Sequence, residues 1–74
     1  MKIKHFLNSC KNEISMIYIY TDETQWNYDG DPEVVVRDLY DLKGKVSEGD
    51  YDFIANSYVH EWFLDGYELY VYVV

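Results

Sequence analysis

The chain has 74 residues, 49% of them hydrophobic and 19% aromatic, too apolar for a disordered tail and near the smallest size at which one core sustains a fold. Fourteen Asp and Glu against six Lys and Arg give a formal net charge of −8, a field that repels nucleic-acid backbones and anionic membranes and attracts basic partners. The single cysteine, Cys10, excludes an intramolecular disulfide and fits a reducing cytoplasm.

The N-terminal MKIKHFLNSC turns polar at Asn8, before an apolar run of signal-peptide length, and no later run reaches the span of a bilayer. One domain over residues 1–74 is therefore expected, away from membranes. Within its first segment, Ile3, Phe6, Leu7 and Cys10 fall at i, i+3, i+4 and i+7, the stripe of a short helix over Lys2 to Cys10, with Lys4, His5 and Asn8 opposite. So short a helix needs a sheet to pack on. Asn12 and Glu13 break the period.

Ile14 to Thr21 (ISMIYIYT) alternates as a strand with two usable faces, Ile17 and Ile19 on the side meant for helices and Tyr18 and Tyr20 on the other. Gln25 to Tyr28 is expected to be a short strand pairing back on it, with Trp26 and Tyr28 on one face, ended by Asp29-Gly30-Asp31-Pro32. Asp31, Pro32 and Glu33 resemble a helix start, and Val35, Leu39 and Leu42 then sit at i, i+4 and i+7, favouring a helix over Pro32 to Leu42. The run Val34-Val35-Val36 has the opposite preference, so a strand over Glu33 to Leu39 stays open; Gly44 ends the element on either reading.

Ser47-Glu48-Gly49-Asp50 has the spacing of a capping box for a helical turn carrying Tyr51, Ile54 and Ala55. Two β-rich runs then flank Asp65-Gly66, which predicts a hairpin with those two residues central in a type I′ turn. The last run sets Tyr67, Leu69, Val71 and Val73 against Glu68, Tyr70, Tyr72 and Val74. One face is aliphatic and the other tyrosine-rich. If this last strand lies at the sheet edge, its unpaired backbone is open to strand addition.

Motifs that carry chemistry are scarce. Asp22 to Glu33 spans twelve residues and begins and ends in carboxylates, but the fifth and sixth positions of a calcium loop would be Trp26 and Asn27. His5, His60 and Cys10 lack zinc-site spacing, so no metal or cofactor is expected. Cys10 lies on the apolar stripe, where a thiol packs rather than attacks, and no glycine-rich phosphate loop exists. Lys2, Lys4 and Lys11 are too few for a phosphate-binding face. Neither an enzyme nor a nucleic-acid binder is expected.

A surface remains. Asp22, Glu23, Asp29, Asp31 and Glu33, then Glu48, Asp50 and Asp52, interleave with Trp26, Tyr28 and Tyr51. Carboxylates a few ångströms apart imitate the phosphate spacing of a duplex, and the aromatics supply anchors for a protein partner. The second candidate face is Tyr18, Tyr20, Tyr70 and Tyr72, suited to a partner or a homodimer.

The Ile17-Tyr18-Ile19-Tyr20 strand and the terminal Asp-Gly hairpin ending Leu69-Tyr70-Val71-Tyr72-Val73 look like those of small tyrosine-rich proteins of bacterial phages and mobile elements. Tiny, acidic, cysteine-poor chains of this kind are similar to phage-encoded anti-CRISPR proteins, several of which imitate DNA on a Cas effector. The resemblance implies a cytoplasmic inhibitor in a bacterial host cell and supplies no site residues of its own. The expected fold is α+β: a small, mainly antiparallel sheet of about four strands with short helices packed on one face. The expected function is inhibition of a basic nucleic-acid-handling partner, or alternatively assembly of a phage or mobile element through the tyrosine face.

Overall fold

A computed structural model describes residues 1–10 and 13–74. The expected break at Asn12 and the third N-terminal lysine, Lys11, lie outside the described residues. The fold is α+β, with α1 (Ile3–Ser9), β1 (Met16–Tyr20), α2 (Glu23–Asn27), β2 (Val34–Val36), α3 (Leu39–Lys45), α4 (Glu48–Ala55), β3 (Val59–Asp65) and β4 (Glu68–Val73). The four strands form one sheet in the order β2-β1-β4-β3. Outer pairs are antiparallel; the central pair, β1 with β4, is parallel. The last strand is thus interior, and the edge expected there belongs to β3 and β2.

Alternation within β1 and β4 sorts the side chains as the sequence implied. Ile17, Ile19, Val36, Leu69, Val71 and Val73 are buried on one face, closed by Ile3 of α1, Leu42 of α3 and Ile54 of α4. Phe6, Leu7 and Leu39 pack against this cluster from the helices. Burying apolar area here is the main force holding α1, α3 and α4, none of which is long enough to persist alone.

Four local expectations need correction. Gln25–Tyr28 is not a strand: Asp22 caps a helix instead, its Oδ1 accepting from the N–H of Thr24 at 2.8 Å and of Gln25 at 3.2 Å. Two orphan donors are satisfied by one carboxylate, which outweighs the weak alternation of Trp26 and Tyr28. The helix expected over Pro32 to Leu42 is instead two elements. Its β-branched start pairs with β1 (Ile17 with Val36, Ile19 with Val34), and Val36 is fully buried.

The helix begins later, at Asp38. Its Oδ1 accepts from Asp41 N–H at 2.7 Å while Asp41 Oδ2 accepts from Arg37 N–H at 2.9 Å, a reciprocal cap built from Asp-x-x-Asp. Gly44 lies inside this helix rather than ending it. The expected cap at Ser47 is present, with Oγ accepting from Asp50 N–H at 3.2 Å.

The hairpin turn is one residue later than Asp65-Gly66. Asp65 pairs with Glu68, leaving Gly66 and Tyr67 central, and only Gly66 has positive φ, at 62°. That is the sign pattern of a type II′ turn, which wants glycine first. A turn centred on Asp65-Gly66 would have set Phe63 opposite Glu68. The observed turn sets it opposite Tyr70.

Candidate partner-binding face

The second face of the sheet is built by register. β1 and β4 run parallel with Tyr18 beside Tyr70 and Tyr20 beside Tyr72, while β3 sets Phe63 beside Tyr70 and Glu61 beside Tyr72. The first row stacks across three strands: Tyr18 on Tyr70 at 4.5 Å and Tyr70 on Phe63 at 4.7 Å between centroids, each 6° from parallel. The second row is closed by Trp26 of α2, edge-on to Tyr20 at 5.2 Å and stacked on Tyr72 at 5.9 Å. Trp26 Nε1 donates to Glu61 Oε2 at 3.0 Å, tying α2 to β3 across the face.

Ring orientation limits what this surface can bind. Both faces of Tyr70 are occupied by neighbouring rings, so the stack turns hydroxyl-bearing edges outward. Base recognition on a sheet uses free ring faces. Phe63, 49% exposed at the end of the row, is the most exposed ring of the stack. Tyr20, Trp26, Asp29, Phe63 and Tyr70 line a shallow cavity of about 250 Å³.

Carboxylates surround these rings, and the tyrosines register them. Burial pushes Tyr72 above its ordinary value, reinforced by Glu23, Asp22 and Glu61. Burial likewise raises Tyr20, with Asp29 and Asp31 adding to it. Tyr70 is pushed up to about 12, first by burial, then by its hydrogen bond to Glu68 and the charges of Glu68 and Asp65. Its hydroxyl donates to Glu68 Oε2 at 3.1 Å. Burial and then Glu68 raise Tyr18 as well.

The structure therefore joins the two candidate surfaces in part. Asp22, Glu23, Trp26, Asp29 and Asp31 flank Tyr18, Tyr20, Tyr70 and Tyr72. Tyr28 is exposed beyond α2, and Glu33 is exposed where its N–H donates to Ile19 O at 2.8 Å on the way into β2. Asp29 takes φ of 54° at the corner, a conformation that Asp and Asn tolerate best among side-chain-bearing residues.

Glu48, Asp50 and Asp52 are elsewhere. They lie on α4, whose Ile54 and Ala55 pack into the aliphatic core on the opposite side of the sheet. Tyr51 belongs to that layer too, half-buried against the core with Lys43 Nζ 6.0 Å from its ring centroid.

Sequence reasoning missed Glu61, Phe63 and Asp65 as members of the face. The signal was the alternation of Glu61, Phe63 and Asp65 in the penultimate strand, readable once the turn is placed at Gly66-Tyr67.

Among the described residues, no group of three or more His, Cys, Asp or Glu is placed to hold a metal ion, and no helix is long and apolar enough to cross a membrane. Burial raises the Cys10 thiol above its ordinary value, which reduces its thiolate and its reactivity. No protein-family model, curated protein or solved structure matches the chain.

Proposed function

We propose that this protein is a non-enzymatic inhibitor that docks its acidic, aromatic sheet face onto the basic surface of a nucleic-acid-handling partner. One observation carries the reading. The carboxylates around the tyrosines (Asp22, Glu23, Asp29, Asp31, Glu61, Asp65 and Glu68) have no Lys or Arg ion-pair partner among the described residues. The Lys and Arg ion pairs of the described residues converge instead on Asp41, from Arg37 at 3.7 Å and Lys45 at 3.3 Å. An unneutralised acidic surface repels itself, and a cationic partner relieves that repulsion while steering encounter. The edge-on hydroxyls suit hydrogen bonding to Arg and Lys side chains, which fits a protein partner better than a base.

The concrete partner is a Cas effector in the bacterial cytoplasm, occupied at the surface where it would hold nucleic acid. Affinity capture from cells carrying CRISPR-Cas systems tests this at low and high salt. The expected result is an effector retained at low salt, released at high salt and competed by DNA. Retention that is indifferent to both salt and DNA would contradict the proposal.

Assembly through the tyrosine face is the second reading, and the cover provided by Trp26 weighs against it. Tyr20 and Tyr72 are each only 8% exposed, leaving little of the second tyrosine row to pack against another copy. A dimer forming at micromolar concentration, indifferent to salt and broken by Tyr70→Ser, would reverse this order.

A further inference from the structure

The two edges of the sheet are finished differently. β2 is three residues long, and Lys45 Nζ donates to its Val35 carbonyl at 3.0 Å, so the edge is short with a lysine laid on it. Such features are the usual protection against strand addition. β3 is seven residues long, and among the described residues only its start is covered, where Val59 N–H donates to Met1 O at 2.9 Å and Lys2 bridges to Tyr58.

Beyond that start, hairpin geometry decides which groups are free. A two-residue turn makes Asp65 and Glu68 a hydrogen-bonded pair, so Phe63 and Glu61 also direct their backbone groups at β4. Trp62 and Leu64 direct theirs outward. Neither N–H has a turn or loop partner among the described residues. The strand, VHEWFLD, carries no Lys or Arg.

We propose that the open edge from Trp62 to Leu64 takes an extended basic segment of the partner as a fifth strand. This rests on the reading of a basic partner and adds how that partner is held. Charge selects the occupant. On the aromatic face the flanking side chains are Glu61, Phe63 and Asp65, with Glu68 opposite Asp65; on the other face they are Trp62 and Leu64. A strand alternating Lys or Arg with apolar residues answers both sets. A second copy does not, because centring the pair on Phe63 sets Glu61 directly against Asp65 of the other copy, and like charges so placed destabilise a sheet.

The probe is the capped peptide Thr-Lys-Val-Phe-Val-Lys-Thr, added to the isotope-labelled full chain, with amide exchange read by NMR. Exchange at Trp62 and Leu64 should slow about tenfold, while Phe63, already bonded to β4, stays unchanged. Methylating the backbone nitrogens of both valines should abolish the effect, and methylating those of both lysines should not. Shifts confined to residues 22–31, with exchange at Trp62 and Leu64 unaltered, would overturn strand addition yet leave the basic-partner reading standing. Absence of binding would overturn it as well. So would protection of those amides by concentration alone, which would make the occupant a second copy.

Discussion

On one face of the sheet, Ile17, Ile19, Val36, Leu69, Val71 and Val73 meet three helices and are at most 3% exposed. On the other, Tyr18, Tyr20, Tyr70 and Tyr72 meet one short helix, a tryptophan and a ring of carboxylates. The same strands supply both sets, by alternation alone. The aliphatic face is stabilised by area removed from water, which is indifferent to partner and pH. The aromatic face is held by ring geometry and a few charge-assisted hydrogen bonds, and its acids gain nothing from staying unpaired. Stability is concentrated on the first face, and the second is available for recognition.

Core truncation should show the largest effect. Leu69→Ala removes a side chain 1% exposed at the centre of the aliphatic face, and should cost about 2–5 kcal/mol in urea unfolding. A domain of this length holds only about 4–11 kcal/mol in total, so the loss should remove a large share of it and lower the urea midpoint well below that of the wild type.

Trp26→Ala tests the other face. Trp26 is half-buried, so the loss should be smaller, about 1–2 kcal/mol, and Tyr20 and Tyr72 should become accessible to nitration. A loss as large as that of Leu69→Ala would erase the distinction between the faces.

Tyr70→Phe should change neutral-pH stability less again but should alter the alkaline limb. The folded state binds the Tyr70 proton more tightly than the unfolded chain does. This contribution is full below the ordinary value of 10.0 and is lost as pH rises through about 12. Wild type should therefore lose stability across that window, and Tyr70→Phe should lose less, as read by unfolding together with tyrosinate absorbance.

Asp41 gives the opposite sign. The Arg37 N–H holds its carboxyl below the usual value, with Lys45 assisting, so its contribution is present above the ordinary carboxylate range and is lost as pH falls through the depressed value. Asp41→Asn should flatten the acid limb of a stability–pH profile without touching the alkaline one.

Strand content was legible wherever alternation was strict. Ile17 against Tyr18, and Leu69 against Tyr70, assigned both faces correctly before any contact was known. Other features were not legible, for physical reasons. The parallel register of β1 on β4 joins residues about fifty positions apart and is set by packing rather than by any local signal. The stretch from Pro32 to Leu42 holds a strand and a helix start within a few residues, so a periodicity window averaged over both; the Asp38 and Asp41 cap was the local sign of the division. The acidic set read as one patch because sequence proximity stood in for place, whereas α4 carries Glu48, Asp50 and Asp52 to the far side of the sheet.

That separation allows the most direct test. Two triple variants have the same net charge: Asp29→Asn with Asp31→Asn and Glu33→Gln beside the aromatic face, and Glu48→Gln with Asp50→Asn and Asp52→Asn on α4. Stability should hardly change in either, since surface substitutions of this kind stay within about 0.5 kcal/mol. Affinity for the captured effector, titrated at low salt, should fall at least about tenfold for the first variant and stay within about twofold for the second. Equal losses would mean that net charge alone is read, and unchanged affinity in the first would remove the aromatic face from binding.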